Sequence, residues 1–323
     1  MAIGTLLSAF WILALDSWMQ TPAGQVLEGG VLIAGDWLQV IFNPSFPYRF
    51  THMILASGLT ASFVVAGLSA WRLLRAPGDD SALRTGVAVA AVLAPLQIFA
   101  GDQHGLNTLG HQPAKIAAME ALWHTERGAP LVLFALPNAD TRHNDYAVEV
   151  PKAASLILKH DPDGEVKGID AFAPDAPPVA PLFFAIRAML ALGVVMLALA
   201  RGGAWLLRKG RTPAPWLLWA FAGATFSGWL ATLAGWIVTE VGRQPWLVTG
   251  ILRTAQAVGR IPEASLGASL TGYVLVYALM LGAYLVVITH LAGKGVGADT
   301  GFGGVYVKPA PRSPLVLEEG DAT

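Results

Sequence analysis

Phe50 to Trp71 reads FTHMILASGLTASFVVAGLSAW, 22 residues without an Asp, Glu, Lys or Arg. A helix needs roughly 17 to 25 apolar residues to cross about 30 Å of hydrocarbon, so this run has the length and character of a membrane span. The same pattern recurs on both sides of it. Thr85 to Gly101 runs 17 residues, Trp216 to Val238 runs 23, and Ser265 to Thr289 runs 25 without one of those charges. Val179 to Ala200 matches them apart from Arg187, and Ala2 to Met19 apart from Asp16. The first of these has neither a positively charged start nor a small-residue cleavage site, so it reads as a retained helix and not as a cleaved signal peptide. The expectation is an all-α transmembrane bundle of about six helices.

Composition agrees with lipid as the solvent. Charged residues make up 13% of the 323 positions and apolar ones 54%, with a mean hydropathy of +0.53. A soluble domain carries about 25% charged residues. The net charge of −1 leaves no basic field for nucleic acid. With no cysteine, disulfides, thiolate metal sites, iron–sulfur clusters and thiol nucleophiles are all excluded. The 11 tryptophans suit helices anchored at membrane interfaces.

Arg72, Arg75 and Arg84 fall between the second and third spans, and Arg201, Arg208, Lys209 and Arg211 between the fourth and fifth. Cations of short loops stay on the cytoplasmic side, so both loops belong there, as does a tail with Lys294, Lys308 and Arg312. The chain then divides into residues 1–101 with three spans, an extracytoplasmic loop over 102–178, residues 179–292 with three more spans, and a cytoplasmic tail over 293–323. A loop of that length usually carries function. It ends in a Pro-rich lead (Pro174, Pro177, Pro178) into the fourth span.

His52, Arg187 and Met189 sit inside spans. An ionisable group there costs about 2.5 to 3.5 kcal/mol on insertion scales, so it calls for a partner or a function. A lone histidine near a helix end is ordinarily a satisfied interfacial residue, and methionine is common core filler. Together they say more, because the second and fourth spans both enter from the side of the long loop. At 1.5 Å per residue, His52 lies roughly 8 Å in and Met189 roughly 15 Å. An imidazole and a thioether on facing helices suit the two axial positions of one low-spin haem iron. Arg187 points to another sector of its helix, within reach of a propionate at the interface. Just outside the third span, Lys115 and Glu120 are five residues apart, about 140° around a helix, so they flank a face and do not pair. Such residues suit a quinone headgroup, the lysine donating to a carbonyl and the glutamate accepting a hydroxyl proton.

These residues resemble subunit I of the cytochrome bd quinol oxidases. The similarity runs through Ala9-Phe10-Trp11-Ile12-Leu13, Trp18-Met19-Gln20-Thr21-Pro22 and Arg49-Phe50-Thr51-His52. It continues through Gly101-Asp102-Gln103-His104-Gly105, Lys115-Ile116-Ala117-Ala118-Met119-Glu120 and Phe184-Ala185-Ile186-Arg187-Ala188-Met189, and closes on Gly242-Arg243-Gln244-Pro245-Trp246. The resemblance implies that His52 and Met189 are the axial ligands of a low-spin haem b, with Arg187 beside it. It also implies that Lys115 and Glu120 serve quinol oxidation and that residues 102–178 form the quinol-binding loop. Members of the family have about nine helices, and the resemblance implies that this sequence starts at the equivalent of the fourth, after the helices that would carry the oxygen-side histidine and the carboxylates of the proton path. Where the family has a haem-ligating Glu before Ala-Gly-Trp, this chain has Leu233-Ala234-Gly235-Trp236.

The expectation is therefore a multi-pass protein of the bacterial inner membrane that binds one haem b and no haem d. It oxidises ubiquinol or menaquinol and passes electrons to a second, subunit II-like membrane protein or a separate acceptor. A structural or assembly subunit without turnover, and a haem-free transporter using His52 and Arg187 as pathway charges, are the rival readings. A reduced-minus-oxidised spectrum separates all three.

Overall fold

The computed structural model describes residues 2–259 and 261–293. The chain starts with helix α1 (Ala2–Gln20), a small hairpin of β1 (Gln25–Glu28) and β2 (Val31–Ala34), and the short helix α2 (Trp37–Ile41), capped by the Asp36 carboxylate. The long helices α3 (Phe46–Arg75) and α4 (Ser81–His111) follow. The connecting region up to residue 178 holds α5 (Pro113–Met119), β3 (Glu126–Arg127), a hairpin of β4 (Leu131–Asn138) and β5 (His143–Val150), α6 (Ala153–Lys159) and β6 (Glu165–Val166). Helix α7 (Val179–Leu207) then crosses back. It is followed by α8 (Pro215–Gly223) and α9 (Ser227–Val241), a pair of short strands β7 (Trp246–Val248) and β8 (Leu252–Arg253), and α10 (Glu263–Gly293).

Among the described residues, five helical stretches are long and apolar enough to cross a membrane: α3, α4, α7 with the turn after it, the α8–α9 pair, and α10. Helix α1 forms as expected but is not one of these five, so the expected count of six is not reached on this criterion. The expected end of the third span also moves. Helix α4 continues past Gly101 through His111, because nothing in Asp102–His111 breaks it; the stop comes at Gln112-Pro113, where proline removes a backbone donor and restricts the residue before it. The part of the connection outside α4 therefore begins at residue 112, with residues 102–111 continuing α4. The expected cytoplasmic tail, apart from Gly293 at the end of α10, lies outside the described residues.

Helix α3 packs on α4, α8 and α9, and α4 and α9 each pack on α7. So α3 and α7 take opposite corners of a four-helix ring, with α4 and the α8–α9 span at the other two. Its core is built from Phe63, Val87, Met196, Ala200 and Phe221. Small residues let the backbones approach, as is usual between membrane helices. A Cβ on Gly67 would meet Thr225 Oγ1 and come within 2.8 Å of the Phe221 carbonyl oxygen, and one on Gly86 would come within 2.8 Å of the Ser62 oxygen. Helix α10 stands apart, exposed along its length, and touches the bundle through Tyr284 stacked on Trp229 at 5.2 Å.

Candidate functional site

The histidine and the methionine singled out in the sequence lie in the half of the ring nearest the connecting region. His52, in the second turn of α3, turns its ring to α4, where Gln97 Nε2 lies 3.1 Å from Nε2 and 3.3 Å from Nδ1. The His104 ring stands edge-on at 5.7 Å, and a Cβ on Gly101 would come within 3.2 Å of Cε1 of His52. Met189, in the third turn of α7, lies against α9, where a Cβ on Gly235 would come within 3.2 Å of its sulfur. The two residues thus project from opposite corners of the ring, each beside a glycine of an intervening helix. An imidazole nitrogen and a thioether sulfur are both axial ligand types for haem iron.

Lys115 and Glu120 leave α5 in different directions. Lys115 is buried, with Nζ donating to Gln20 Oε1 at 2.7 Å, Gln112 Oε1 at 2.9 Å and the Thr239 carbonyl at 3.4 Å. Three acceptors match the three N–H bonds of an ammonium. Burial nevertheless pushes this lysine well below its ordinary range, and the positive charges of Arg49 and Arg243 act the same way, against Asp16 and Glu240. Glu120, at the end of α5, faces α7 and pairs with Arg187 at 2.8 Å, both side chains being mostly buried.

Arg187 is occupied differently from its expected reach toward a propionate. Besides Glu120, its guanidinium donates to the Met119 carbonyl and, through Nε and Nη2, to the Val132 carbonyl at 2.9 and 2.6 Å. It also lies 4.4 Å above the Phe183 ring. It therefore ties the connecting region to α7, two residues before Met189.

The sequence reading passed over a second cluster. Asp16 of α1 accepts from Arg49 of α3 at 3.1 Å and lies 3.6 Å from Arg243, which also pairs with Glu240 of α9. Arg49 Nε and both Nε and Nη1 of Arg243 are buried without an acceptor. The available signals were Asp16 interrupting an apolar run and the arginines within the quoted motifs; what they lacked was a partner nearby in sequence. Leu233 is 60% exposed and lines, with Trp236, Thr60 and Tyr284, a groove of about 640 Å³ between α3, α9 and α10.

Comparison with known proteins bears on this arrangement. Residues 1–296 match the family model described as cytochrome bd terminal oxidase subunit I. Cytochrome bd ubiquinol oxidase subunit 1 of Bacillus subtilis is 33% identical over 303 residues, covering 88% of this chain, so the chain spans 64% of that relative's length. Cytochrome bd-II ubiquinol oxidase subunit 1 of Escherichia coli is 27% identical over 375 residues, covering 92% of this chain and 72% of its own. The solved bd oxidase from Geobacillus thermodenitrificans superposes with a TM-score of 0.81 at 29% identity, covering 90% of this chain and 67% of that one. With a family model matched along nearly its whole length and a fold shared with a solved bd oxidase, the chain belongs to the cytochrome bd terminal oxidase subunit I family.

Proposed function

We propose that this chain is a quinol-oxidising oxidoreductase subunit of the bacterial inner membrane, in which His52 and Met189 hold one low-spin haem b. The observation that carries the reading is the placement of these two side chains on opposite corners of one four-helix ring, each flanked by a glycine. A haem held by His52 and Met189 would supply one-electron redox chemistry at this site. The chain's own residues do the rest. Glu120 accepts the quinol hydroxyl proton, and Arg187 keeps its carboxylate at the junction with α7. All three Lys115 donors are taken within the fold, so a headgroup oxygen reaches it by replacing Gln112 or Gln20 as acceptor. Protons leave on the side of the connecting region, which the placement of cations in the short loops assigns to the extracytoplasmic face. Six spans within residues 1–293, α1 among them, are the proposed topology of this stretch.

Leucine cannot ligate iron, so Leu233 supplies no second haem site at its position. Oxygen reduction, with any haem d, is accordingly assigned to a subunit II-like partner or a separate protein. Pigment extraction with a reduced-minus-oxidised spectrum of the purified chain tests the whole reading. One haem b with a low-spin spectrum is expected. A chain without haem refutes it, and two haems or a chlorin band would refute the single-haem assignment and direct attention to Glu240, the carboxylate that α9 does carry.

A further inference from the structure

We infer that Asn144 is a positioning residue for the proton acceptor: by bridging Ala121 and Trp123 it holds the turn that sets the place of the Glu120 carboxylate. The inference rests on the proposed role of Glu120. Glu120 caps the C-terminal end of α5, its own backbone still near helical at φ −86° and ψ −3°. The chain reverses at the next residue, Ala121, where φ is +51°. Leu122 N–H donates to the Ala117 carbonyl at 2.9 Å and Ala121 N–H to the Ala118 carbonyl at 3.2 Å. These are the paired bonds of a Schellman turn, whose left-handed residue is usually glycine. Alanine resists that conformation because its Cβ crowds the following carbonyl oxygen, and such a residue persists only where its surroundings hold it.

Asn144 supplies that hold from strand β5. Its Nδ2 donates to the Ala121 carbonyl at 3.0 Å, and its Oδ1 accepts from Trp123 Nε1 at 2.9 Å. A carbonyl only accepts and an indole N–H only donates, so the two partners admit a single orientation of the amide. Ala121 and Trp123 are both buried, where a carbonyl or an indole N–H left without a partner is costly. From the other side of Glu120, Arg187 takes the Met119 carbonyl and the carboxylate itself. The short segment around Glu120 is thus clamped between α7 and β5. Arg187 also holds the Val132 carbonyl of β4, the strand paired with β5, so the two clamps are joined through the hairpin.

The test is a double-mutant cycle on stopped-flow reduction of the haem by a short-chain quinol, in the purified, haem-loaded chain. Asn144→Leu should lower the rate at saturating quinol about 10- to 100-fold, the scale of a small misplacement of a reacting group, with haem content unchanged and reduction by dithionite complete. Glycine takes φ near +51° without steric cost, so in an Ala121→Gly background the same change should cost no more than about threefold. A merely structural role for Asn144 predicts a lower melting temperature with a parental rate, and that result would overturn the inference, as would an equal loss of rate with and without Ala121→Gly. Should Asn144→Leu not accumulate, Asn144→Asp, which keeps the acceptor for Trp123 and loses the donor to Ala121, takes its place with the same two expectations. Failure of both to accumulate even beside Ala121→Gly overturns the inference, because the damage would then lie outside the turn. A parental rate in Glu120→Gln would instead show that the acceptor assignment itself is wrong.

Discussion

Replacing Glu120 by Gln removes a carboxylate while keeping its shape and one acceptor for Arg187. The side chains are 12% and 15% exposed and 2.8 Å apart, so the pair is largely out of water. A hydrogen bond to a charged group contributes about 1.5–3 kcal/mol and a neutral one about 0.5–1.5, so Glu120→Gln loses about 1 kcal/mol at that bond, plus the cost of leaving the buried Arg187 without a counter-charge, which the retained carbonyl acceptors reduce. Arg187→Leu is the harsher change. It leaves a buried carboxylate and the carbonyls of Met119 and Val132 without their donor, and losing one member of a buried pair costs about 3–5 kcal/mol. The rate should respond in another order. Losing a positioned proton acceptor slows reaction about 10² to 10⁴-fold, equivalent to roughly 3–5 kcal/mol in the barrier at about 1.4 kcal/mol per tenfold. Stopped-flow reduction of the haem by a short-chain quinol, beside a thermal melt in detergent, therefore separates the roles. Glu120→Gln should melt higher than Arg187→Leu yet reduce at least a hundredfold more slowly than the parent, while dithionite still reduces the haem fully. If quinol reduces Glu120→Gln at the parental rate, Glu120 is an anchor for Arg187 and not the proton acceptor.

Changing His52 to Ala should abolish the low-spin haem signal, whereas Met189→Leu should leave a five-coordinate haem of lower potential; an unchanged optical spectrum in either variant would exclude that residue as a ligand. Burial lowers the Lys115 pKa, so between its folded value and the ordinary lysine value of about 10.4 the unfolded chain binds more protons, and stability should rise with pH across that window. The melting temperature of the parent should climb there, and that of Lys115→Met, which cannot titrate, should lack this rise; parallel curves would show that Lys115 is not the group responsible. Lys115→Ala should slow quinol reduction about 10²-fold with the haem spectrum unchanged, and a parental rate would remove it from the quinol site. Gly67→Ala places a methyl group against Thr225 and the Phe221 carbonyl, so a loss of about 1–3 kcal/mol from overpacking should appear as a lower melting temperature, and unaltered melting would mean that the α3–α8 contact is looser than described.

Much of this protein is written locally in its sequence. A span is decided by the hydropathy of some twenty consecutive residues, since in lipid a helix satisfies its own backbone polar groups. Long apolar runs therefore announce α3, α4, α7, the α8–α9 pair and α10 without any knowledge of their neighbours. The ends of those helices were less legible, because polar residues such as Asp102 to His111 allow helix and loop alike, and only the proline at 113 stops the chain. His52 and Arg187 could be singled out because a histidine and an arginine inside apolar runs are conspicuous, and Met189 because it lies at a depth similar to His52 and within a motif that resembles one family's. Which groups these side chains face is another matter. Arg187 is held by a carbonyl 55 residues away in the chain, Asp16 is held by an arginine 33 residues on, and Gln20 donates to a carbonyl 219 residues distant. Long, flexible polar side chains take their partners from whatever the folded bundle brings within hydrogen-bond distance, and no local pattern records that. The burial of Lys115, the engagement of Arg187 by Glu120, and the amide of Gln97 at the His52 ring were accordingly decided by tertiary structure alone, because each depends on how separate helices cross.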